Sequence, residues 1–395
     1  MGIVLQSLCP SVLGCFLVLK TALESRFTGN DLKKMDHTWM ERALELARRG
    51  EGRTRPNPPV GAVVVKGGRV LGEGYHHRAG LPHAEVEALS KLGREARGAT
   101  IYVTLEPCST HGRTPPCTDL IIEKGVKRVV ISVSDPNPKH RGRGLRLLRK
   151  AGVEVVAGVC EEAGKALLAP FAKWVTTGIP FVTLKMGMTL DGRIADSKGI
   201  SRWITGAASR AEVRRLRQRA DAIMVGQNTA VTDDPSLRWS KSAHLNPKRI
   251  IVDSAGKLPL QAQVLTDGQA QNTIIATTQA CSNERVAEYL EAGAAVWQCG
   301  RGKRVSLSIL MKKLGESGIL HLLCEGGGQL AEQLVRSDLV DAFEFFVAPK
   351  IIGGRGAAVV GGNGWSLKSA PELKFTETRM VGNDIWMRGV KCLLD

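Results

Sequence analysis

His83-Ala84-Glu85, followed by Pro107-Cys108 and then Cys117, is the stretch whose reading decides how the first part of this chain folds. A histidine and two cysteines suit Zn²⁺, and three protein ligands leave its fourth tetrahedral position open for water. Glu85 stands just past the histidine at the start of an apolar helical run, where it can face the same water and shuttle protons. The ligands therefore fall at the start of one helix, the end of a strand and the start of a second helix, which is an α/β layer. A closed structural site would want a fourth Cys or His nearby, and none is well placed by spacing. The set reads as a catalytic zinc site for hydrolytic deamination. The loop Ser109–Pro116 between the cysteines is longer than the usual two residues and brings His111 and Arg113 beside the pocket.

Working outward, the pattern alternates α and β from Met35 to about Gly178. Val60–Lys66 and Arg69–Tyr75 read as a hairpin around Gly67-Gly68, and Thr100–Leu105 as the strand that delivers Glu106-Pro107-Cys108. Pro116–Lys124 reads as the helix that starts at Cys117, and 128–133, 143–151 and 153–157 as strand, helix and strand. Helix starts suit thiolate ligands because N-terminal N–H groups and the helix dipole stabilise their charge. A helix from Cys160 to Thr177 leads to Gly178-Ile179-Pro180, the expected boundary, and a second α/β domain follows. Its strands are expected at 181–186, 222–225, 249–253, 273–277, 294–298 and 319–324, with a turn at Thr189–Arg193 and a basic helix at 209–220. Glu325-Gly326-Gly327-Gly328 joins the last of these strands to a helix at 329–336, an arrangement that lets backbone N–H groups approach a pyrophosphate. It lacks the G-x-G-x-x-G spacing, so a plain tight turn is an equal reading.

The 395 residues are enough for two domains, and the hydrophobic fraction of 43% supports filled cores. The net charge of +17 comes from scattered basic residues interleaved with acidic ones, and three tyrosines and eight phenylalanines offer few stacking platforms. Phosphorylated small molecules are the expected partners, and nucleic acid is not. Nine cysteines without regular spacing argue against a disulfide framework and for a cytoplasmic protein. Ile3–Leu19 resembles a signal-peptide core, but no Lys or Arg precedes it, no A-x-A site follows, and it is marginal for a membrane span. No membrane partner is expected. Met35-Asp36-His37-Thr38 opens a helix at 39–49, so residues 1–34 are expected to be a misassigned start or a disordered leader.

Longer motifs then carry a resemblance. Pro56-Asn57-Pro58-Pro59-Val60-Gly61, Gly72-Glu73-Gly74-Tyr75-His76, His83-Ala84-Glu85, Leu105-Glu106-Pro107-Cys108 and Gly112-Arg113-Thr114-Pro115-Pro116-Cys117 resemble the bifunctional deaminase–reductases of riboflavin biosynthesis. Asp135-Pro136-Asn137-Pro138, Leu190-Asp191-Gly192-Arg193, Trp203-Ile204-Thr205, Asp233-Asp234-Pro235 and Ala348-Pro349-Lys350 continue the match, which runs from Met35 to the C-terminus. The resemblance implies a cytidine-deaminase-like α/β/α domain over 35–178 and a dihydrofolate-reductase-like α/β domain over 179–395. The first would hydrolyse the 2-amino group of 2,5-diamino-6-ribosylamino-4(3H)-pyrimidinone 5′-phosphate, and the second would use NADPH to reduce the ribosyl side chain to ribityl. It implies His83, Cys108 and Cys117 as zinc ligands, Glu85 as the proton shuttle, Asn57 and His76 at the pyrimidine, and Arg113 near its phosphate. In the reductase it implies Lys185 at the ribose being reduced and Ser201, Arg217, Leu237 and Glu325 at the substrate. Gly187, Trp203, Thr229, Asp233, Ser254, Gly327 and Gly328 would hold NADPH, and a homo-oligomer is expected.

Two departures stand out. Thr110 takes the place of a histidine common in the family, with His111 one residue later. Ser240 takes the place of an arginine that helps hold the substrate phosphate, and Arg238 could replace it only if the loop shifts. A working deaminase fused to an impaired reductase is therefore the alternative reading. An RNA-editing protein, suggested by charge alone, lacks the C-x-x-C spacing and would not explain the second domain.

Overall fold

The structure, a computed structural model, describes residues 29–111 and 115–391. The first sheet is laid down by β1 (Gly61–Lys66), β2 (Arg69–Tyr75), β3 (Thr100–Leu105), β4 (Arg128–Val133) and β5 (Glu154–Ala157), ordered β2-β1-β3-β4-β5. β1 pairs antiparallel with β2 and β3, while β3, β4 and β5 run parallel. Side chains alternate across a strand, and here both faces are covered. Val63, Val65, Tyr102 and Val130 face α1 (Gly29–Arg48), with Met40, Ala43 and Leu44 packed on them. Ala62, Val64, Ile101, Val103 and Ile131 face α2 (Ala84–Leu89), α3 (Cys117–Glu123) and α4 (Arg143–Lys150). α5 (Glu161–Thr177) closes the first face through Leu167 and ends on Gly178 at φ 76°.

α1 begins at Gly29, upstream of the helix start expected near Met35. Asp36 explains why this turn is ordered, for its carboxylate is buried, accepts Arg128 NH1 and NH2 at 2.7 and 2.8 Å, and takes the Tyr102 hydroxyl at 2.9 Å. The apolar run Ile3–Leu19 lies outside the described residues.

The second sheet has nine strands. β6 (Phe181–Thr189) is followed by β7 (Arg193–Ala195), α6 (Ala207–Arg219), β8 (Ala222–Gly226), α7 (Gln227–Asp233), β9 (Lys248–Val252), α8 (Gln263–Thr266), β10 (Thr273–Thr277), α9 (Asn283–Glu291), β11 (Ala295–Gln298), α10 (Leu307–Glu316), β12 (His321–Cys324) and α11 (Gly328–Arg336). β13 (Ala342–Ala348), β14 (Ala357–Ala358), β15 (Leu373–Val381) and β16 (Asp384–Lys391) complete the chain. The order is β11-β10-β9-β8-β12-β6-β13-β16-β15, parallel up to β13 and antiparallel beyond, while β14 pairs with β7. Two hydrophobic cores again lie on opposite faces, one under α10 and α11 and one under α9. Because β12 inserts between β6 and β8, the chain reverses its direction of advance there, and a crevice opens at the carboxyl ends of those strands.

The two sheets are tied together by Lys173 to Asp341 at 2.6 Å, Trp174 Nε1 to the Gly315 carbonyl at 2.9 Å and Arg55 to the Asp221 carbonyl at 3.3 Å. β7, β13, β14, β15 and β16 are the strands that sequence reasoning left out. Nearly all of β15 is exposed, so it lacks the apolar alternation that marks a half-buried strand.

Candidate active sites

His83 caps α2 from an extended conformation, Cys108 follows β3, and Cys117 is the first residue of α3. His83 Nδ1 lies 3.3 Å from Cys117 Sγ and 3.6 Å from Cys108 Sγ, and all three ligand atoms fall within 4.8 Å of one another. Ligands about 2.0–2.3 Å from a tetrahedral Zn²⁺ would be separated by this much, so the donor set and its spacing fit zinc. The Cys108 sulfur accepts the Cys117 N–H at 3.3 Å. Hydrogen bonds to Cys108 from Cys117 and His83 hold its thiol well below the usual range, against the opposing effect of burial.

Glu85 points into the same cluster from the first turn of α2 and is buried. Burial, helped by negative charge at Cys108, pushes its carboxyl up to about 7. The His76 ring stands edge-on to His83, 5.5 Å between centroids. His76 Nδ1 donates to the Pro82 carbonyl at 3.0 Å, which leaves Nε2 to accept from Asn57 Nδ2, also at 3.0 Å. Desolvation lowers the pKa of His76, so the neutral ring this pairing needs is favoured. The structure thus brings His83, Cys108, Cys117, Glu85, His76 and Asn57 together. Arg113 lies outside the described residues, and His111 is exposed.

Glu106 was not singled out from the sequence, yet it fixes the loop behind Cys108. Its buried carboxylate accepts the N–H groups of Asp135, Gly142 and Gly144 at 3.1, 2.9 and 3.0 Å. A Cβ at Gly144 would sit 2.3 Å from the Pro107 carbonyl oxygen, so only glycine allows this approach. The signal was present in the Asp135-Pro136 motif, whose partner could not be read from spacing.

In the second domain, Glu325 at the end of β12 is gripped by Arg217 from α6, with Nε at 2.6 Å and NH2 at 2.9 Å from its two oxygens. Lys185 on β6 brings Nζ to 3.3 Å from Glu325 Oε2. Burial alone would raise the Glu325 pKa, but Arg217 and Lys185 override it and hold the carboxyl at about 2. Arg217 also donates to the Arg238 carbonyl at 3.3 Å.

Beside this triad opens a cavity of about 730 Å³ lined by Ser201, Thr229, Asp233, Ser254, Gly327 and Gly328 among others. Ser201 Oγ donates to Asp233 Oδ1 at 2.6 Å. A Cβ at Gly328 would meet the Ala358 carbonyl oxygen at 2.4 Å, which explains glycine at the first position of α11. Gly187 and Trp203 are not on the cavity wall. Gly187 lies on β6 against Thr205, and Trp203 is 61% exposed beneath Arg210, whose guanidinium carbon is 4.4 Å from the ring centroid. Leu237 is wholly buried in the core, with φ 53°, and the next residue, Arg238, offers its carbonyl to Arg217.

Ser240 belongs to a turn organised by Asn246. Asn246 Oδ1 accepts the N–H groups of Trp239 and Ser240 at 3.1 and 3.0 Å, and Nδ2 donates back to the Ser240 carbonyl at 2.9 Å. Arg238 faces Asp267 at 3.5 Å, a carboxylate already held by buried Arg249 at 2.6 Å, and so does not stand in for a guanidinium at position 240.

Fold and sites define a two-domain enzyme in which a zinc-dependent deaminase domain precedes an NADPH-dependent reductase domain. Residues 33–133 match the cytidine and deoxycytidylate deaminase zinc-binding region, and residues 180–387 match the RibD C-terminal domain. The chain is 43% identical to riboflavin biosynthesis protein RibD of Actinobacillus pleuropneumoniae over 360 residues, covering 90% of this chain and 96% of that protein. Two solved structures cover 91% of it. Acinetobacter baumannii RibD, form 1, matches at 35% identity with a TM-score of 0.82 over 100% of that chain. A diaminohydroxyphosphoribosylaminopyrimidine deaminase/5-amino-6-(5-phosphoribosylamino)uracil reductase from Thermotoga maritima matches at 38% and 0.81 over 99% of its own. The chain belongs to the RibD family and is a bifunctional deaminase and reductase of riboflavin biosynthesis, with zinc and NADPH as its cofactors.

Proposed function

We propose that the chain deaminates 2,5-diamino-6-ribosylamino-4(3H)-pyrimidinone 5′-phosphate in residues 35–178 and reduces the deaminated product in residues 179–395. One observation carries this reading: a Glu-flanked His/Cys/Cys cluster and a separate cavity beside a Lys–Glu–Arg triad occur in one chain.

His83, Cys108 and Cys117 hold the zinc, which when bound supplies a Lewis acid that lets water ionise near neutral pH. Glu85, buried beside the ligands, takes the proton of the attacking water and passes it to the ring nitrogen and then to the departing ammonia. Asn57, oriented by His76, contacts the pyrimidine, and Arg113 meets the phosphate with a guanidinium that can bind two oxygens at once.

In the second site NADPH, when bound, would supply the hydride that C1′ of the ribosylamine receives. Lys185 gives a proton to the ring oxygen as the C1′–O bond opens. Glu325 holds Lys185 in place, and Arg217 keeps Glu325 ionised. Thr229, Asp233, Ser254, Gly327 and Gly328 bind the cofactor. Ser201, Arg217, Leu237 and Glu325 position the substrate.

A cytoplasmic location is supported by the chemistry of the site, and among the described residues no helix is long and apolar enough to cross a membrane. Phosphorylated small molecules, not nucleic acid or a membrane, account for the basic surface. A homo-oligomer is supported by edge strand β15, whose Phe375 and Met380 are 54% and 61% exposed.

The test supplies the zinc-loaded protein with the deaminated substrate and NADPH and follows nicotinamide absorbance. Substrate-dependent oxidation is expected. Ammonia release from the diamino substrate without oxidation would leave only the deaminase.

A further inference from the structure

α1 and α6 belong to different domains, yet their C-terminal turns converge. The contact is set by backbone. A Cβ on Gly52 would lie 2.2 Å from the Gln218 carbonyl oxygen, so the chain leaving α1 presses directly on the last turn of α6. Where the two helices end they enclose a cleft of about 210 Å³, lined by Arg48, Arg49 and Glu51 from the first domain and Arg215, Gln218 and Arg219 from the second. Arg215, Gln218 and Arg219 stand three and four apart and so share one face of α6. The cleft has no lining residue in common with the reductase cavity or the zinc cluster.

Four guanidiniums thus meet one carboxylate. Each helix end alone explains a basic residue, because its carbonyls carry partial negative charge. Here the Ala47 and Arg48 carbonyls already accept the N–H groups of Gly50 and Glu51 at 2.9 and 3.3 Å. Carboxylates do not account for the four either. Arg215 pairs with Glu212 at 2.7 Å, and Arg219 approaches Glu51 only to 3.6 Å. Among the described residues, Arg48 and Arg49 form no ion pair. Like charges gathered in one cleft repel, and a compact anion between them relieves the repulsion.

We propose that this cleft is an anion site shared by the two domains, and that its ligand is a phosphate group, free or carried by a small monoester. Guanidiniums offer paired N–H donors that match phosphate oxygens, and the Gln218 amide adds a neutral donor. The volume lies below the roughly 300–1,000 Å³ of pockets for drug-sized ligands, so the cleft takes a phosphate with a small appendage and not a dinucleotide. A ligand gripped from both sides binds only the docked domains and stabilises them. From the cleft the chain runs on through Arg55, which donates to the Asp221 carbonyl at 3.3 Å, to Asn57 beside His76, while α6 carries Arg217 of the triad. The anion therefore lies on the segment that joins the two catalytic sites.

The test is calorimetric titration of the zinc-loaded full chain, with NADPH present, by inorganic phosphate and separately by ribose 5-phosphate, at an ionic strength held constant with chloride. Wild type should bind a phosphate that Arg48→Gln/Arg49→Gln binds roughly tenfold or more weakly, since each charge-assisted contact is worth about that much. KM for both substrates should be unchanged in this variant, which separates the cleft from the catalytic sites. Arg215→Gln, on the other domain, should weaken binding in the same direction. Phosphate should raise the melting temperature of wild type more than that of either variant. Tighter binding of ribose 5-phosphate, with the advantage lost in the variants, identifies a monoester as the occupant, and equal binding identifies free phosphate. Phosphate affinity that neither variant alters overturns the site, as does a wild type that binds none, and leaves the arginines as helix-end charges.

Discussion

The two active sites of this chain are built on opposite plans. The deaminase site draws its ligands from three short segments that end at one spot, and the backbone itself finishes the work: Cys117 N–H bonds the Cys108 sulfur, and Glu106 gathers three N–H groups behind it. The reductase site is assembled from β6, α6, β12 and loops reaching as far as Gly362, and it is held by charge. Glu325 is the centre on which Lys185 and Arg217 converge. A locally framed site should lose chemistry without losing fold when one side chain changes. A site held by a buried ion triad should lose both.

Glu85→Gln gives the largest expected effect. Ammonia release should fall by about 10²–10⁴-fold, the usual range for a positioned acid–base group, while zinc content and reduction of supplied deaminated substrate stay at wild-type levels. Persistent deamination would remove Glu85 from its role. Cys117→Ser should lose metal, measured by atomic absorption, along with deamination. Because the ligand lies in the first sheet's layer, NADPH oxidation should survive.

Glu325→Gln is the converse case. It leaves Arg217 and Lys185 partly buried without a counter-charge, a change that should lower stability on the order of 3 kcal/mol and abolish NADPH oxidation. The pH dependence follows from the same triad. The folded carboxyl is held at about 2, below its ordinary 4.5. Its contribution to stability is therefore complete above about 4.5 and is lost as pH falls from there toward 2. The wild-type melting temperature should decline through that window more steeply than that of Glu325→Gln. Parallel curves would mean that Glu325 is not the electrostatic centre of the domain.

The same difference in plan explains what could be read from the sequence. His83, Glu85, Cys108 and Cys117 were legible because each lies at an element end whose period or punctuation marks it. β3 and β4 appear with the bounds their apolar runs suggest. The grip of Arg217 on Glu325 joins residues far apart in sequence, and no spacing encodes it. Leu237 was legible as a motif position but not as a core side chain, since its burial depends on strands β8 and β9 meeting around it.

The smallest effect separates two accounts of position 240. The backbone of Ser240 is held by Asn246 from both sides, and its hydroxyl only accepts the Ser242 N–H at 3.1 Å. A longer side chain can therefore replace the hydroxyl without dismantling the turn. If the substrate phosphate lies beside this turn, Ser240→Arg adds a charge-assisted contact worth about 1.5–3 kcal/mol. The KM for the deaminated substrate should then drop by about tenfold with kcat unchanged, because the contact is made equally in ground and transition states. An unchanged KM would place the phosphate elsewhere, toward Arg217, which already spans the distance between Glu325 and the Arg238 carbonyl. Either result sharpens the contrast between the sites, since an arginine that can be omitted from a dispersed, charge-rich pocket has no counterpart in a three-ligand metal cradle.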